Sequence, residues 1–265
     1  MAPGPIEVRP TIDRAWLERA AAQDPVAHAF ALWDLERNPG RIRIFSAMDG
    51  DRTLGYLLVW LGHPRATVVH WVGTTPETRA LAAALPSRPL VAIVPEEAES
   101  VVTEARGPAR RYTVLVMERP ATPPPVPPAV PGTVRTLERS DVPLLSEWAR
   151  RQSDPVVAEY PFLDPDEELT WGAFDGPKLV GVVHAEVRRP GLWVLGGVYV
   201  EPEARRRGRG RELIAVALAA SARARVRVAL FVREDRAEAR ALYEGVGFHP
   251  AGRRVWLDLG AGLSP

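Results

Sequence analysis

Thirteen residues in the middle of the chain, Pro120-Ala121-Thr122-Pro123-Pro124-Pro125-Val126-Pro127-Pro128-Ala129-Val130-Pro131-Gly132, limit its fold more than any other feature. Proline lacks the backbone N–H and fixes φ, so this run forms neither a helix nor an interior strand. It is left with extended polyproline II, a stiff spacer. The chain is therefore expected to divide into residues 1–119, a linker at 120–132, and residues 133–265.

The two flanking segments share a layout. The first opens with Ile6–Arg9 and a helical stretch from Asp13 to Ala22; the second opens with Thr133–Leu137 and a helix from about Asp141 to Arg151. Three strand-like runs follow in each: Arg41–Ala47, Thr53–Leu61 and Ala66–Gly73, then Leu169–Phe174, Leu179–Arg189 and Leu192–Val200. The connectors Asp49-Gly50-Asp51-Arg52, Asp175-Gly176-Pro177-Lys178 and Pro190-Gly191 are hairpin turn chemistry. Helix, strand, helix and strand then follow in both: Pro76–Ala84, Leu90–Val94, Glu96–Glu104 and Tyr112–Glu118, against Arg209–Ala222, Val226–Val232, Ala237–Val246 and Arg253–Leu259. A period of this length, present twice, predicts a duplicated domain rather than a solenoid.

Composition excludes several classes. With 265 residues, 46% of them hydrophobic, there is ample material for a core, so wholesale disorder is excluded. A formal charge of +1 carries no polyanion-binding signature, and no second basic cluster with interleaved aromatics accompanies the arginine run, so no nucleic-acid partner is expected. Without cysteine there are no disulfides, thiolate metal sites or Cys nucleophiles. His28, His63, His70, His184 and His249 show no short ligand spacing, so no metal is expected. The start Met1-Ala2-Pro3-Gly4 does not resemble a signal peptide, and no run approaches the ~20 apolar residues of a membrane span. A cytoplasmic protein with no membrane partner is expected, as a monomer or homodimer.

The chemistry concentrates in Val198-Tyr199-Val200-Glu201-Pro202-Glu203-Ala204-Arg205-Arg206-Arg207-Gly208-Arg209-Gly210-Arg211-Glu212-Leu213-Ile214. A strand runs into a turn with two glycines, then into a helix whose apolar stripe is Leu213, Ile214, Ala217 and Leu218. Glycine permits the sharp turn and a close ligand approach, and the unpaired amides at a helix start favour phosphate. Taken alone, the arginine-rich run reads as a solvated basic loop; its placement between a buried strand and an amphipathic helix favours the phosphate site. A Walker loop is excluded because no Gly-Lys-Ser/Thr occurs, and the dinucleotide pattern fails because its third glycine position is Leu213.

Arg205, Gly208 and Gly210, preceded by Val200-Glu201-Pro202, resemble motif A of the GNAT acyltransferases, Arg/Gln-x-x-Gly-x-Gly/Ala. Leu230–Asp235 followed by Ala239-Arg240-Ala241-Leu242-Tyr243-Glu244-Gly245-Val246-Gly247-Phe248 is similar to that family's next strand and its Leu-Tyr helix with Gly-Phe. The likeness covers roughly Val134 to Leu259; Arg236 departs from it, standing where many members carry Asn. The duplicated layout resembles tandem GNAT proteins, and Gly196-Gly197-Val198-Tyr199 resembles glycine N-acyltransferase-like members. The resemblance implies an α/β (α+β) fold: two GNAT-like domains, each a mixed, mostly antiparallel sheet flanked by helices. It also implies an N-acyltransferase that uses acetyl-coenzyme A, or another acyl-CoA, on a small-molecule or peptide amine. The pantetheine arm would pair with Val198, Tyr199 and Val200, and the pyrophosphate would lie on the amides from Arg206 to Arg211, so that Arg205, Arg206, Arg207, Gly208, Arg209, Gly210 and Arg211 together make up the cofactor-binding loop. Tyr243 matches the position of the acid that protonates the leaving thiolate.

The base has two candidates. His184 and Glu186 lie two apart on a strand and so share a face. Glu159, beside Tyr160, falls where the family places its acceptor-binding loop, and Tyr160, Phe162 and Trp171 are either pocket wall or core. Gly196-Gly197 marks either a bulge that splays the strand or relief of crowding. In the first half the equivalent turn, Gly73–Leu81, has no Gly-x-Gly and one arginine, and resembles a degenerate copy without a pyrophosphate site. The alternative to an enzyme is a coenzyme A-binding module without catalysis.

Overall fold

The computed structural model describes residues 5–62, 66–73, 75–121, 134–152 and 169–262. Most of the proline-rich run, and the segment holding Glu159, Tyr160 and Phe162, lie outside the described residues. Two compact units are present. Unit 1 consists of Met1–Leu115, Arg233–Asp235 and Gly252–Pro265; unit 2 consists of Val116–Val232 and Arg236–Ala251. No helix among the described residues is long and apolar enough to cross a membrane.

In unit 1 the elements are β1 (Glu7–Arg9), α1 (Arg14–Gln23), α2 (Ala29–Arg37), β2 (Ile42–Asp49), β3 (Arg52–Trp60), β4 (Thr67–Val72), α3 (Thr75–Leu81), β5 (Leu90–Val94) and α4 (Glu99–Arg106). β6 (Arg110–Arg119) follows and passes into unit 2 at Val116. The Asp13 carboxylate caps α1 by accepting the Ala15 N–H at 2.9 Å. The sheet order is β1-β2-β3-β4-β5-β12, where β12 is His249–Leu259. Pairing is antiparallel except between β4 and β5. Period-two alternation divides the side chains: Leu57, Val59, Val69, Trp71, Ala92 and Val94 join α3 and α4 in one core, while Tyr56 and Leu58 join α1 and α2 in another.

α2 occupies a stretch to which sequence reading assigns no element. Its start at His28 has no side-chain cap, and its apolar residues run almost without interruption, so neither boundary nor periodicity marks it. The terminal strand differs in another way. By layout it follows the second half, yet from Gly252 onward it lies in unit 1, paired antiparallel with β5 from Val255↔Val94 to Leu259↔Leu90. The reason is packing: Val255, Leu257 and Leu259 fill unit 1's core.

Unit 2 contains β7 (Val134–Thr136), α5 (Val142–Arg150), β8 (Leu169–Asp175), β9 (Lys178–Arg189), β10 (Leu192–Val200), α6 (Arg209–Arg223), β11 (Arg227–Arg233) and α7 (Ala237–Glu244). Its sheet runs β11-β10-β9-β8-β7, antiparallel except for β10 with β11. Leu137, Leu145, Trp148, Ala149, Phe174, Leu179 and Val182 form a core under α5. The expected stripe of α6, Leu213, Ile214, Ala217 and Leu218, is buried. Each unit is thus a mixed, mostly antiparallel sheet flanked by helices.

Candidate active site

The site begins where two parallel strands part. β10 and β11 pair from Leu192↔Arg227 to Leu195↔Leu230 and no further. β10 continues to Val200, held on its other edge by β9, with register shifts after Val194 and between Gly196 and Tyr199. Gly197 takes φ 57°, open to glycine at no steric cost. Gly196 leaves room for a different reason: a Cβ there would collide with the Glu186 carboxylate unless that side chain swung away. The two glycines therefore mark a bulge, with a carboxylate laid against it. Beyond Leu195, Val198, Tyr199 and Val200 are half-buried on a strand whose β11 edge is unpaired among the described residues.

The loop after β10 makes a short 3-10 turn at Pro202–Ala204, then turns left-handed at Arg206 (φ 61°) and Gly208 (φ 82°) before α6. The first bond of α6 runs from Glu212 N–H to Gly208 C=O at 3.0 Å, and no side chain caps this end. Among the described residues, the backbone N–H groups of Arg206, Arg207, Gly208, Arg209, Gly210 and Arg211 meet no acceptor. A row of unbonded amides, left-handed residues within it and the positive end of a helix dipole behind it make an anion cradle. Gly210 keeps α6 close to α7: a Cβ there would meet Leu242 Cδ2 at 3.3 Å.

The arginines are not equivalent. Arg205 Nε donates to the Val200 carbonyl at 2.9 Å, and its guanidinium lies over the Tyr199 ring, 5.5 Å from the centroid. Trp148 meets the same ring edge-on at 5.8 Å. Arg209 is largely buried, bonded to Glu212 Oε2 at 2.9 Å and to Asp175 Oδ1, and these carboxylates raise its pKa. Arg207 lies 3.8 Å from Asp175 with its side chain 65% exposed. Arg206 and Arg211 are exposed. Arg205, although exposed, and the partly buried Arg209 shape the loop, while Arg206, Arg207 and Arg211 present their guanidinium groups to solvent.

His184 is buried on β9, with Nε2 3.8 Å from Glu186 Oε1; the Glu186 side chain is 34% exposed. The pair shares a face and sits at the bulge, since His184 is the register partner of Gly196. Tyr243 lies on α7 with its ring buried edge-on against Phe248 at 5.9 Å. Burial alone pushes its pKa up, so the phenol keeps its proton. Leu242 beside it packs at Gly210, which brings α7 to the anion cradle. Trp171 is core, 2% exposed. The described residues hold no group of three or more His, Asp or Glu side chains arranged to bind a metal ion. Glu159 and Tyr160 lie outside the described residues. Sequence reading placed Asp175 and Lys178 in a hairpin turn and Glu201 in the Val-x-Pro stretch but gave none of them a part in the site, where they form ion pairs at the ends of the loop.

Unit 1 carries a shorter version of the same parting. β4 and β5 pair in parallel from Thr67↔Leu90 to His70↔Ile93, after which β4 has only Trp71 and Val72. Trp71 is buried in the core, and His70 stacks on Phe30 at 4.5 Å, with burial lowering its pKa to about 4.

Residues 134–248 match the model of the acetyltransferase (GNAT) family. No curated protein matches the chain. Among solved structures, a Drosophila protein aligns with a TM-score of 0.72 at 15% identity, over 98% of this chain and 100% of its own. A tandem GNAT protein from the clavulanic acid biosynthesis pathway gives 0.62 at 18% identity, covering 98% and 100%. A GCN5-related N-acetyltransferase from Sphaerobacter thermophilus gives 0.62 at 18%, covering 98% of each chain. At these identities the structural likeness establishes the fold.

Proposed function

We propose that unit 2, whose residues 134–248 match the GNAT acetyltransferase family, transfers an acetyl or other short acyl group from acyl-coenzyme A to an amine. The observation that carries this reading is the row of unbonded amides from Arg206 to Arg211 at the end of a strand with an open edge. A pyrophosphate fits that cradle, with Arg206, Arg207 and Arg211 adding charge. The amide-bearing pantetheine arm fits the edge at Val198, Tyr199 and Val200, hydrogen-bonding as a further strand would.

The chemistry follows from the residues around the bulge. Glu186, with His184 behind it, accepts the proton that the ammonium must lose before its nitrogen can attack. Main-chain N–H groups at the bulge stabilise the oxyanion as the new C–N bond forms and the C–S bond breaks. Tyr243, held protonated, donates to the departing thiolate, so the products are the amide and free coenzyme A thiol. No metal enters this scheme. Unit 1 resembles a degenerate copy and takes no donor.

Calorimetric titration of acetyl-coenzyme A tests the reading, followed by a thiol-release assay on a panel of small amines, amino acids and peptide N-termini. One site per chain with turnover on some acceptor is expected. Absence of binding overturns the reading; binding with no turnover on any acceptor leaves a coenzyme A-binding module.

A further inference from the structure

We propose that the turn joining β8 to β9 is a clamp that holds the anion-binding loop in its binding shape, with Asp175 and Lys178 as positioning residues for donor capture. This rests on the donor reading above.

Within the loop from Glu201 to Arg209, the 3-10 turn and the Arg205 bond to Val200 hold the first half, and the stretch from Arg206 to Gly208 has no such backbone support. The loop contains a non-glycine residue in the left-handed region, three exposed arginines in sequence at 205–207, and a run of unbonded amides. Flexible, it would lose its ordering entropy each time it bound a ligand.

Both ends of the loop are fastened to the same four-residue turn. At the start, the Glu201 carboxylate is only 5% exposed and accepts Lys178 Nζ at 2.6 Å. It also accepts Gln152 Nε2 at 3.0 Å, with Arg151 at 3.5 Å, and the Glu201 N–H donates to Val180 C=O at 2.8 Å. At the far end, Arg209 is gripped by Asp175 and Glu212. Asp175 and Lys178 are register partners, the last pair of the β8–β9 ladder. One rigid hairpin thus sets the separation and direction of the loop's two ends.

The arrangement also divides the labour among the charges. Arg209 spends its guanidinium on the clamp. Arg207, 3.8 Å from Asp175 and mostly exposed, is free to turn toward a phosphate. Clamp residues on β8 and β9 keep the amides preorganised without touching the donor.

The test uses the full chain with Asp175→Ala, Lys178→Met and the double variant, with coenzyme A as the calorimetric probe. Each single variant is expected to weaken binding about tenfold, and the double variant more. Donor KM should rise in parallel, while kcat at saturating donor and the thermal midpoint stay near wild type. A purely structural ion pair would shift the midpoint rather than split KM from kcat. Lys178→Arg should restore affinity, and the exchange of charges in Asp175→Arg with Arg209→Asp should restore part of what Asp175→Ala loses. Unchanged affinity in the double variant overturns the clamp. A ligand-free readout separates its failure from that of the donor reading: amide hydrogen exchange at Ala204, Arg205 and Glu212, all hydrogen-bonded in the loop or at its end. Exchange there should accelerate in the double variant while Leu213–Leu218 stays protected. Unchanged exchange at the three amides overturns the clamp, whether or not wild type binds coenzyme A.

Discussion

Both units contain a parallel strand pair that parts, and they differ in what lies past the parting. In unit 2, β10 runs on from Gly196 to Val200, through a bulge, into a loop of unbonded amides and a fifteen-residue helix. In unit 1, β4 runs on through Trp71 and Val72 alone, and the following helix has seven residues. The difference of three strand residues is about 10 Å of edge. In unit 1, Trp71 is buried in the core and His70 stacks on Phe30. The parting of the strands alone is therefore not a binding site. What unit 2 adds is a long open edge and a row of unbonded amides beyond it, and the proposed donor site rests on those two features.

The largest effect that can sharpen this contrast comes from the chain's end. Stopping at Ala251 removes Val255, Leu257 and Leu259 from unit 1's core, each at most 8% exposed. At about 2–5 kcal/mol for each large apolar residue lost, the deficit approaches or exceeds the ~5–15 kcal/mol that holds a domain together. Unit 1 should lose its cooperative structure, read as collapse of hydrogen-exchange protection in β2 to β5. Retained protection would mean that unit 1 does not depend on β12.

Gly210→Glu should abolish acetyl-coenzyme A binding, because it sets a carboxylate among amides meant for an anion. The fold should survive, since a Cβ at this position meets the flexible end of Leu242 at 3.3 Å and Val200 Cγ2 at an ordinary 3.9 Å. Pro76 occupies the matching second position of α3, and Pro76→Glu should leave the affinity and the single-site stoichiometry unchanged. Equal losses from the two changes would break the contrast between the units.

Tyr243→Phe should lower kcat about 100-fold, at the lower end of what a positioned acid contributes, with donor affinity preserved. Unchanged turnover would remove the phenol from the reaction and leave its ring as packing against Phe248.

The smallest effect is acid sensitivity in unit 1. His70 has its pKa lowered from 6.5 to about 4, so the folded state resists a proton that the unfolded chain accepts. Its contribution is complete above pH 6.5 and is lost as pH falls toward 4, at most about 3 kcal/mol. His70→Phe should flatten the melting temperature of unit 1 between those values; an unchanged acid slope would assign it to other groups.

Much of this was legible in the sequence because it depends on local pattern. Hairpin turns bounded β2, β3, β8, β9 and β10, the stripe of α6 was readable at helical spacing, and two glycines between strand and helix marked the cradle. What was not legible depends on partners distant in sequence. The strand of Val255, Leu257 and Leu259 has the same alternation whichever sheet receives it, so its pairing with β5 leaves no trace in its own residues. The arginines between 205 and 211 look alike in a sequence, and only their neighbours separate the partly buried, ion-paired Arg209 from the exposed Arg207. Glu201 read as one more polar residue before a proline, whereas it is a buried carboxylate gripped by a lysine.

The pairing of β12 with β5 also sets a clock. A ribosome extends a chain from the N-terminus, so β5 emerges long before the strand that covers its outer edge. At about 5–20 residues per second, the stretch between Leu115 and Gly252 takes roughly 7–27 seconds to make. For that interval unit 1 exposes a bare, wholly apolar strand edge of the kind that recruits other nascent chains. Synthesis of this protein should therefore be most prone to aggregation while its second unit is being translated.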